Sequence, residues 1–183
     1  ASQPGGRYTP FFSPVVHLSA GAESVTDSDS SADTELTIDF GLFPGLCVGN
    51  LVWHDQNDDG IRQVAEPGVA GVSVQAFSTG ADGMPGGVDD ILMGDAITDA
   101  TGVYKICDLP PGTYYVKLND LPWWAPLSSS VTNFSDDGID NDDNGIQVCT
   151  DPIYSPVITL TAKREPGNML AGGQEDLTID FGF

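Results

Sequence analysis

Residues 55–66 read Asp-Gln-Asn-Asp-Asp-Gly-Ile-Arg-Gln-Val-Ala-Glu, and their types and spacing suit a cation that wants many hard oxygen ligands. Asp55, Asn57 and Asp59 put side-chain oxygens at positions 1, 3 and 5 of a twelve-residue loop, and Gly60 allows the sharp turn at position 6. The Ile61 carbonyl stands at position 7, Gln63 at position 9 (directly or through water), and Glu66 at position 12, where two oxygens close the shell. Calcium takes about six to eight oxygens at roughly 2.3–2.6 Å, so a short stretch crowded with acceptors fits Ca2+. Asp, Asn and Gly also favour turns that bind nothing. A plain turn has no need of a glutamate at position 12, and the calcium reading is preferred.

A second window repeats the arrangement. Asp140, Asp142 and Asn144 fall at positions 1, 3 and 5, Gly145 at 6, Ile146 at 7 and Asp151 at 12. Asp in the last place is shorter than Glu and reaches less easily for two-oxygen coordination, which weakens exclusion of Mg2+. Asp136 and Asp137 lie just upstream as additional candidate ligands. A third acidic run, Asp27 to Asp33, has neither a turn glycine nor a closing acid and reads as a solvated loop.

The elements that must hold these loops read as strands. Leu46–His54 is an expected first strand, and Val72, Val74 and Ala76 alternate with Ser73, Gln75 and Phe77 over 69–77. Residues 91–98 and 102–108 flank the turn Asp99-Ala-Thr-Gly102, and Pro110-Pro-Gly112 leads into 113–119, where Tyr114, Val116 and Leu118 share a face. Closing strands are expected over 156–162 and 176–183, the latter with Leu177, Ile179 and Phe181 on one face. Short strands, Gly/Pro turns and no helical period predict an all-β sandwich. Trp53, Tyr104, Tyr114 and Phe181 are the expected large core residues. Trp123-Trp124 is a candidate ligand platform, because neighbours on a strand face opposite ways and one of the pair can be exposed; packing at the edge of the core is the competing reading.

The chain also repeats itself. Ser13–Ala20 resembles Ser155–Ala162, and Leu-Thr-Ile-Asp-Phe-Gly recurs letter for letter at 36–41 and 177–182, displaced by 142 and 141 residues. Two matched segments in order mark an array module. Residues 1–45 then carry the terminal strands of a preceding or partner-completed unit, and 46–183 a complete one.

Composition narrows the classes. The net charge of −21 argues against nucleic acid, whose phosphates need Lys and Arg, and against anionic membrane surfaces. With 40% hydrophobic residues the chain is still no solvating acidic tail. No apolar run reaches about 18 residues, so no membrane insertion is expected. The chain opens at Ala1 without a leader pattern and is expected to be mature or excised. Cys47, Cys107 and Cys149 lack CxxC spacing, which makes zinc unexpected. Either one disulfide forms, with Cys107–Cys149 the favoured pair and Cys47 left for a neighbour, or all three are buried thiols. Catalysis is not expected: HExxH, GxSxG and P-loop patterns are missing, His17 and His54 are the only histidines, and the clustered acids already have a use. Asn133-Phe-Ser135 is a glycosylation sequon, a pattern common by chance.

The run Val48-Gly-Asn-Leu-Val-Trp53-His-Asp55-x-Asn57-x-Asp59-Gly60, followed by Glu66-Pro-Gly-Val-Ala-Gly-Val72, Thr98-Asp-x-x-Gly102-x-Tyr104 and Leu109-Pro-Pro-Gly-Thr-Tyr114, resembles the B-type (SdrD B-like) domains of serine–aspartate repeat surface proteins. These belong to the wider collagen-adhesin-B-like group. The resemblance covers nearly all of 46–183, and 13–42 looks like the tail of a preceding copy. It implies a calcium-stabilised, Ig-like or prealbumin-like β-sandwich serving as a stalk or spacer for secreted or cell-surface adhesins. It also implies Asp55, Asn57, Asp59, Ile61 and Glu66 as ligands, with Asp99 near another metal position. Many relatives in the wider group carry an internal Lys–Asn isopeptide bond, but Lys105, Lys117 and Lys163 all lie outside the first strand, so that staple is not expected.

The expected function is a calcium-stabilised structural module with neighbouring copies or adjacent repeat domains as partners, including assembly by strand donation through 1–45. The competing expectation is an adhesive module that binds a glycan or host matrix ligand through Trp123-Trp124 and Tyr114-Tyr115.

Overall fold

A computed structural model describes residues 15–17, 19–21, 38, 45–119, 121, 127–147, 152–166 and 173–183. The chain divides into two compact units, Ala1–Phe43 and Pro44–Phe183. In the first, the described residues are solvent-exposed and turn at 20–21. The acidic run 27–33, the strands expected in 1–45, Trp123, Trp124, Cys149 and Asp151 lie outside the described residues.

The second unit is all-β, two sheets forming a sandwich. In chain order its strands are β1 (Leu46–Trp53), β2 (Ser73–Ser78), β3 (Ile91–Ile97), β4 (Val103–Leu109), β5 (Gly112–Asn119), β6 (Ile153–Tyr154), β7 (Ile158–Leu160), β8 (Glu175–Asp176) and β9 (Phe181–Gly182). One sheet runs β4-β1-β8, with β9 also on β1; the other runs β3-β2-β5-β6, with β7 also on β5. β4 is antiparallel to β1, whereas β8 and β9 lie parallel to it. The turn at 99–102 therefore carries the chain from one sheet to the other, with Asp99 and Val103 joined backbone to backbone at 2.9 Å.

The period-2 reading places the core correctly. Val72, Val74, Ala76, Tyr114, Val116 and Leu118 are buried, together with Trp53, Tyr104 and Phe181. Tyr104 and Phe181 pack with ring centroids 6.3 Å apart, and the Tyr104 hydroxyl donates to the Ile179 carbonyl at 2.8 Å. Tyr115 is buried as well, stacked on Phe77 at 5.4 Å and edge-on to Tyr154 at 5.7 Å. This corrects the expectation that Tyr114-Tyr115 offers a ligand surface, since neither ring is free to stack on one.

Three strand expectations change at their ends, each for a local reason. The strand expected over 69–77 starts only at Ser73, because Gly71 turns with φ +81° and the Gly71 N–H donates to the Thr98 carbonyl. The strand over 156–162 shrinks to Ile158–Leu160. Pro156 brings no N–H to the ladder, and the Thr161 N–H goes to Glu165. The strand over 176–183 splits into β8 and β9. Asp176 Oδ1 accepts both the N–H and the hydroxyl of Thr178, and between the two strands Asp180 Oδ1 takes the Leu51 N–H at 3.0 Å. Leu177 is consequently only half-buried, and the inward face runs Ile179, Phe181, Phe183.

The cysteine expectation is overturned. Cys47 on β1 is bonded to Cys107 on β4, so Cys107–Cys149 is not the pair and Cys47 is not free for a neighbour. The two strands are antiparallel neighbours whose register slips between Leu46 and Val48, and the bulge there brings Cys47 opposite Cys107.

Candidate metal centre

The 55–66 loop leaves the end of β1 with its first and last acids already inside the protein. Asp55 is 6% and Glu66 4% exposed. Asp55 accepts the Asp58 N–H, the Gly60 N–H and the Ser129 hydroxyl, each at 2.8 Å. Glu66 accepts the Gln56 and Gln63 N–H groups, one on each oxygen, at 2.9 Å. Asp59 takes the Ile61 N–H and the Gln63 amide at 3.0 Å, and the Asn57 amide donates to it at 2.9 Å. Hydrogen bonds from Gln63 first, then from the Ile61 backbone, hold the Asp59 carboxyl below its ordinary range. Gly60, at φ +71°, is required: a Cβ there would stand 2.1 Å from the Val131 carbonyl oxygen.

The second loop is laced directly to the first. Ile61 and Asp142 form an antiparallel bridge, with Arg62 N–H donating to the Asn141 carbonyl and Asp143 N–H to the Gly60 carbonyl, both at 2.9 Å. Asp140 accepts the Asn50 amide at 2.7 Å and Asp142 the Asn133 amide at 2.6 Å. The other Asp142 oxygen is buried without a donor. Burial first, then the charges of Asp137 and Asp140, push the Asp142 carboxyl up.

Two other residues of this window are committed elsewhere. Asn144 Oδ1 accepts the Asp180 N–H at 2.9 Å, and Ile146 exchanges backbone hydrogen bonds with Tyr154. Asp137 shares the Asn133 amide with Asp142, while Asp136 turns away to the Thr159 N–H at 3.1 Å. Asp99 caps its own turn, taking the Thr101 N–H and hydroxyl and the Val103 N–H.

Two acids that the sequence pattern does not flag sit at the centre of this region. Asp180 is fully buried, accepts the Leu51 and Asn141 N–H groups, and is pushed up to about 8 by burial, with the charges of Asp140 and Asp142 adding. Asp143, also fully buried, accepts the Gly145 and Gly182 N–H groups at 2.9 Å and the Thr132 and Ser128 hydroxyls at 3.1 and 3.3 Å; burial pushes it up to about 7. Their positions read as outward in a period-2 strand or as loop, so only the loop packing across that face reveals them.

Both loops present hard oxygen donors of the kind a divalent cation takes. In the first loop two buried carboxylates bracket the exposed Asn57 and the half-buried Asp59. In the second, Asp140 and Asp180 share the Asn50 amide, and one buried Asp142 oxygen lacks a hydrogen-bond donor. Among the described residues, the trio of acids whose oxygens all lie within 4.8 Å of one another is elsewhere, at Asp82, Asp89 and Asp90 on the loop after β2. Those acids are exposed or half-buried and already accept the Met84 N–H, the Ala81 N–H and the Tyr115 hydroxyl.

Comparison with known proteins shows which family this fold belongs to. The model of the SdrD B-like domain family matches residues 46–183. Serine-aspartate repeat-containing protein E of Staphylococcus aureus (strain USA300) is 30% identical over 157 residues, covering 78% of this chain and 12% of that protein. The bone sialoprotein-binding protein of S. aureus (strain MRSA252) is 29% identical over the same length, with the same shares covered. The chain thus spans about an eighth of the length of these curated relatives. Neither the family nor these relatives indicate a catalytic domain.

Proposed function

Residues 46–183 belong to the SdrD B-like domain family, and from that membership we propose that this chain is a calcium-stabilised structural module of a secreted or cell-surface bacterial protein, of the adhesin, stalk or extracellular-filament kind. The observation that carries the reading is the bridge between the two acidic loops. The backbones of the two loops are joined through Ile61 and Asp142, and the second loop is tied to the closing strand through Asn144 and Asp180. The repulsion of a chain with net charge −21 is relieved by divalent cations, and a joined loop pair at the end of a sandwich suits a spacer. The Cys47–Cys107 disulfide supports an oxidising, extracytoplasmic setting.

Extracellular calcium modules bind with Kd of about 10⁻⁴–10⁻³ M, so at millimolar calcium each site contributes about 1 kcal/mol. For a unit of this size that is roughly 2–4 °C in Tm per site. Melting curves in calcium and in chelator test it: an unchanged midpoint defeats the structural role of the ion.

Assembly by strand donation is part of the proposal. The closing segment 177–182 reaches its hydrogen bonds on β1, where Leu51 and Trp53 receive it. Its copy at 36–41 has the same letters and hence the same need for an opening strand, which a neighbouring copy or an adjacent repeat would supply. Deleting residues 1–45 should abolish polymers seen by electron microscopy; a truncated chain that still polymerises rules donation out.

A further inference from the structure

On one side of the sandwich both sheets end in a strand with an open edge: β3 pairs with β2 alone and β4 with β1 alone. Alternate residues of such a strand turn their N–H and C=O groups away from the sheet. Among the described residues, no hydrogen bond reaches those groups on β3. Its inner face is fixed, because Ala96 packs on the core and Gly94 lies against the Ile106 side chain, where a Cβ would stand 2.6 Å away. Its outer face carries Ile91, Met93, Asp95 and Ile97, all exposed, with Ile91 at 62% and Ile97 at 70%. On β4 the only large apolar side chain left exposed is Val103. Free backbone groups beside apolar side chains at alternate positions make β3 a template for a further strand.

The charges along β3 select the strand. Asp89 and Asp90 precede it, Asp95 lies within it and Asp99 follows it. Among the described residues Asp95 accepts no hydrogen bond and joins no ion pair. Lys117, the cation in its row, is two strands away beyond Gln75, and its ammonium lies 6.0 Å from the Tyr154 ring centroid. A second copy is therefore a poor occupant. Antiparallel self-pairing about Gly94 would set Ile91 against Ile97, but also Asp89 against Asp99; in-register parallel pairing would stack Asp95 on Asp95. Like charges facing one another across strands repel. A one-residue slip against β2 leaves Met93 extra and bends β3, which a flexible segment follows more readily than a second rigid edge does.

We infer that β3 is the docking edge for an extended segment of a partner protein, one with apolar side chains at alternate positions and Lys or Arg at its flanks, which joins the second sheet as its next strand. The ladder supplies the affinity that is independent of sequence. Ile91, Met93 and Ile97 receive the apolar side chains, and Asp95 takes a cationic one placed opposite it. At the entry to the strand Asp82, Asp89 and Asp90, whose oxygens gather within 4.8 Å, attract one basic flank. The acids that keep β3 from its own copies thus become the attraction for this partner. The edge lies apart from both calcium loops and does not involve donation through 1–45, so it rests on neither reading.

The test titrates the full chain, in millimolar calcium, with a synthetic peptide that alternates Val and Thr between pairs of lysines. Two control peptides carry glutamates in place of the lysines, or methyl groups on every second backbone nitrogen. Calorimetry reads binding, and amide hydrogen exchange reads where it occurs. The lysine peptide should bind and slow exchange in β3 but not in β4. The glutamate peptide should not bind, and neither should the methylated one, which keeps the charge but loses ladder donors. Asp95→Lys, a change at an exposed and unpaired side chain, should weaken the lysine peptide about fivefold. Equal binding of the methylated peptide overturns the proposal in favour of diffuse attraction to an acidic surface. Indifference to the sign of the peptide's charge, or unaltered exchange in β3, overturns it as well. A chain that sediments as a dimer and becomes monomeric on Ile97→Lys overturns it in favour of a second copy on this edge.

Discussion

Asp143→Asn in calcium-free buffer should stabilise this protein at pH 8 and leave it unchanged near pH 4. The Asp143 carboxyl is fully buried and its folded pKa is about 7, against an ordinary 3.8. Between those values the folded state holds a proton that the unfolded chain has released, so stability falls as pH rises from about 4 to about 7 and is flat above. Roughly three pKa units at about 1.4 kcal/mol each give about 4 kcal/mol as the cost of charging Asp143 in place. Asparagine removes that cost and keeps the hydrogen bonds. Its oxygen replaces Oδ1 as acceptor for Gly145 and Gly182, and its amide faces the Ser128 and Thr132 hydroxyls, which can accept while donating to the Gly145 carbonyl at 3.0 and 3.2 Å. Asp180, pushed up to about 8, gives the wild type a slope of the same sign, but it is present in both proteins and cancels in the difference. Urea unfolding of the two proteins from pH 4 to 8 reads that difference directly. A variant less stable than wild type at pH 8, or a difference that does not change with pH, would refute the assignment of Asp143 as a buried acid strained by its own charge.

The disulfide and the loop geometry make further predictions. Denatured without reductant, the chain should expose one free thiol, Cys149, of its three cysteines. Cys107→Ser should lower stability by about 2–4 kcal/mol, read by urea unfolding; equal stability, or Cys149 found protected, would contradict the β1–β4 bridge. Gly60→Ala should cost at least about 2 kcal/mol, since it adds a clash with the Val131 carbonyl to a left-handed backbone. Gly71→Ala, at φ +81° with nothing within 4 Å of the new Cβ, should cost only about 1 kcal/mol, and thermal melts of the pair would expose an error if they came out alike.

What could be read from the letters is what depends on short-range chemistry. Gly60 after Asp55, Asn57 and Asp59 announces the turn, and the alternation Val72, Val74, Ala76 announces the buried face of β2, because both are properties of a few consecutive residues. The Cys47–Cys107 bond was not legible. It depends on a one-residue slip in the register of β1 against β4, and spacing along the chain carries no trace of that slip. The fate of Asn144 was hidden for a related reason: its spacing matches a ligand position, but the closing strand lies near enough to take its side-chain oxygen first.

The buried acids show where local reading gives out. In Leu-Thr-Ile-Asp-Phe-Gly the alternation points Asp180 outward, and on an isolated sheet it would meet water. Here the second acidic loop folds over that face, and Asp180 supplies the acceptor that the Leu51 N–H would otherwise lack between β8 and β9. Asp143 does the same for Gly182 at the end of β9. The two carboxylates thus complete a ladder that the backbone leaves unfinished, and their burial costs energy unless charge is neutralised nearby. The loop that covers them is the loop bearing Asp140 and Asp142, so the acids that stitch the sheet and the acids that can draw a cation are coupled through a few ångströms of shared space. A cation held there would lower the cost of ionising Asp180 and tighten the closing strand on β1 together, so its binding would be coupled to closure of the sandwich.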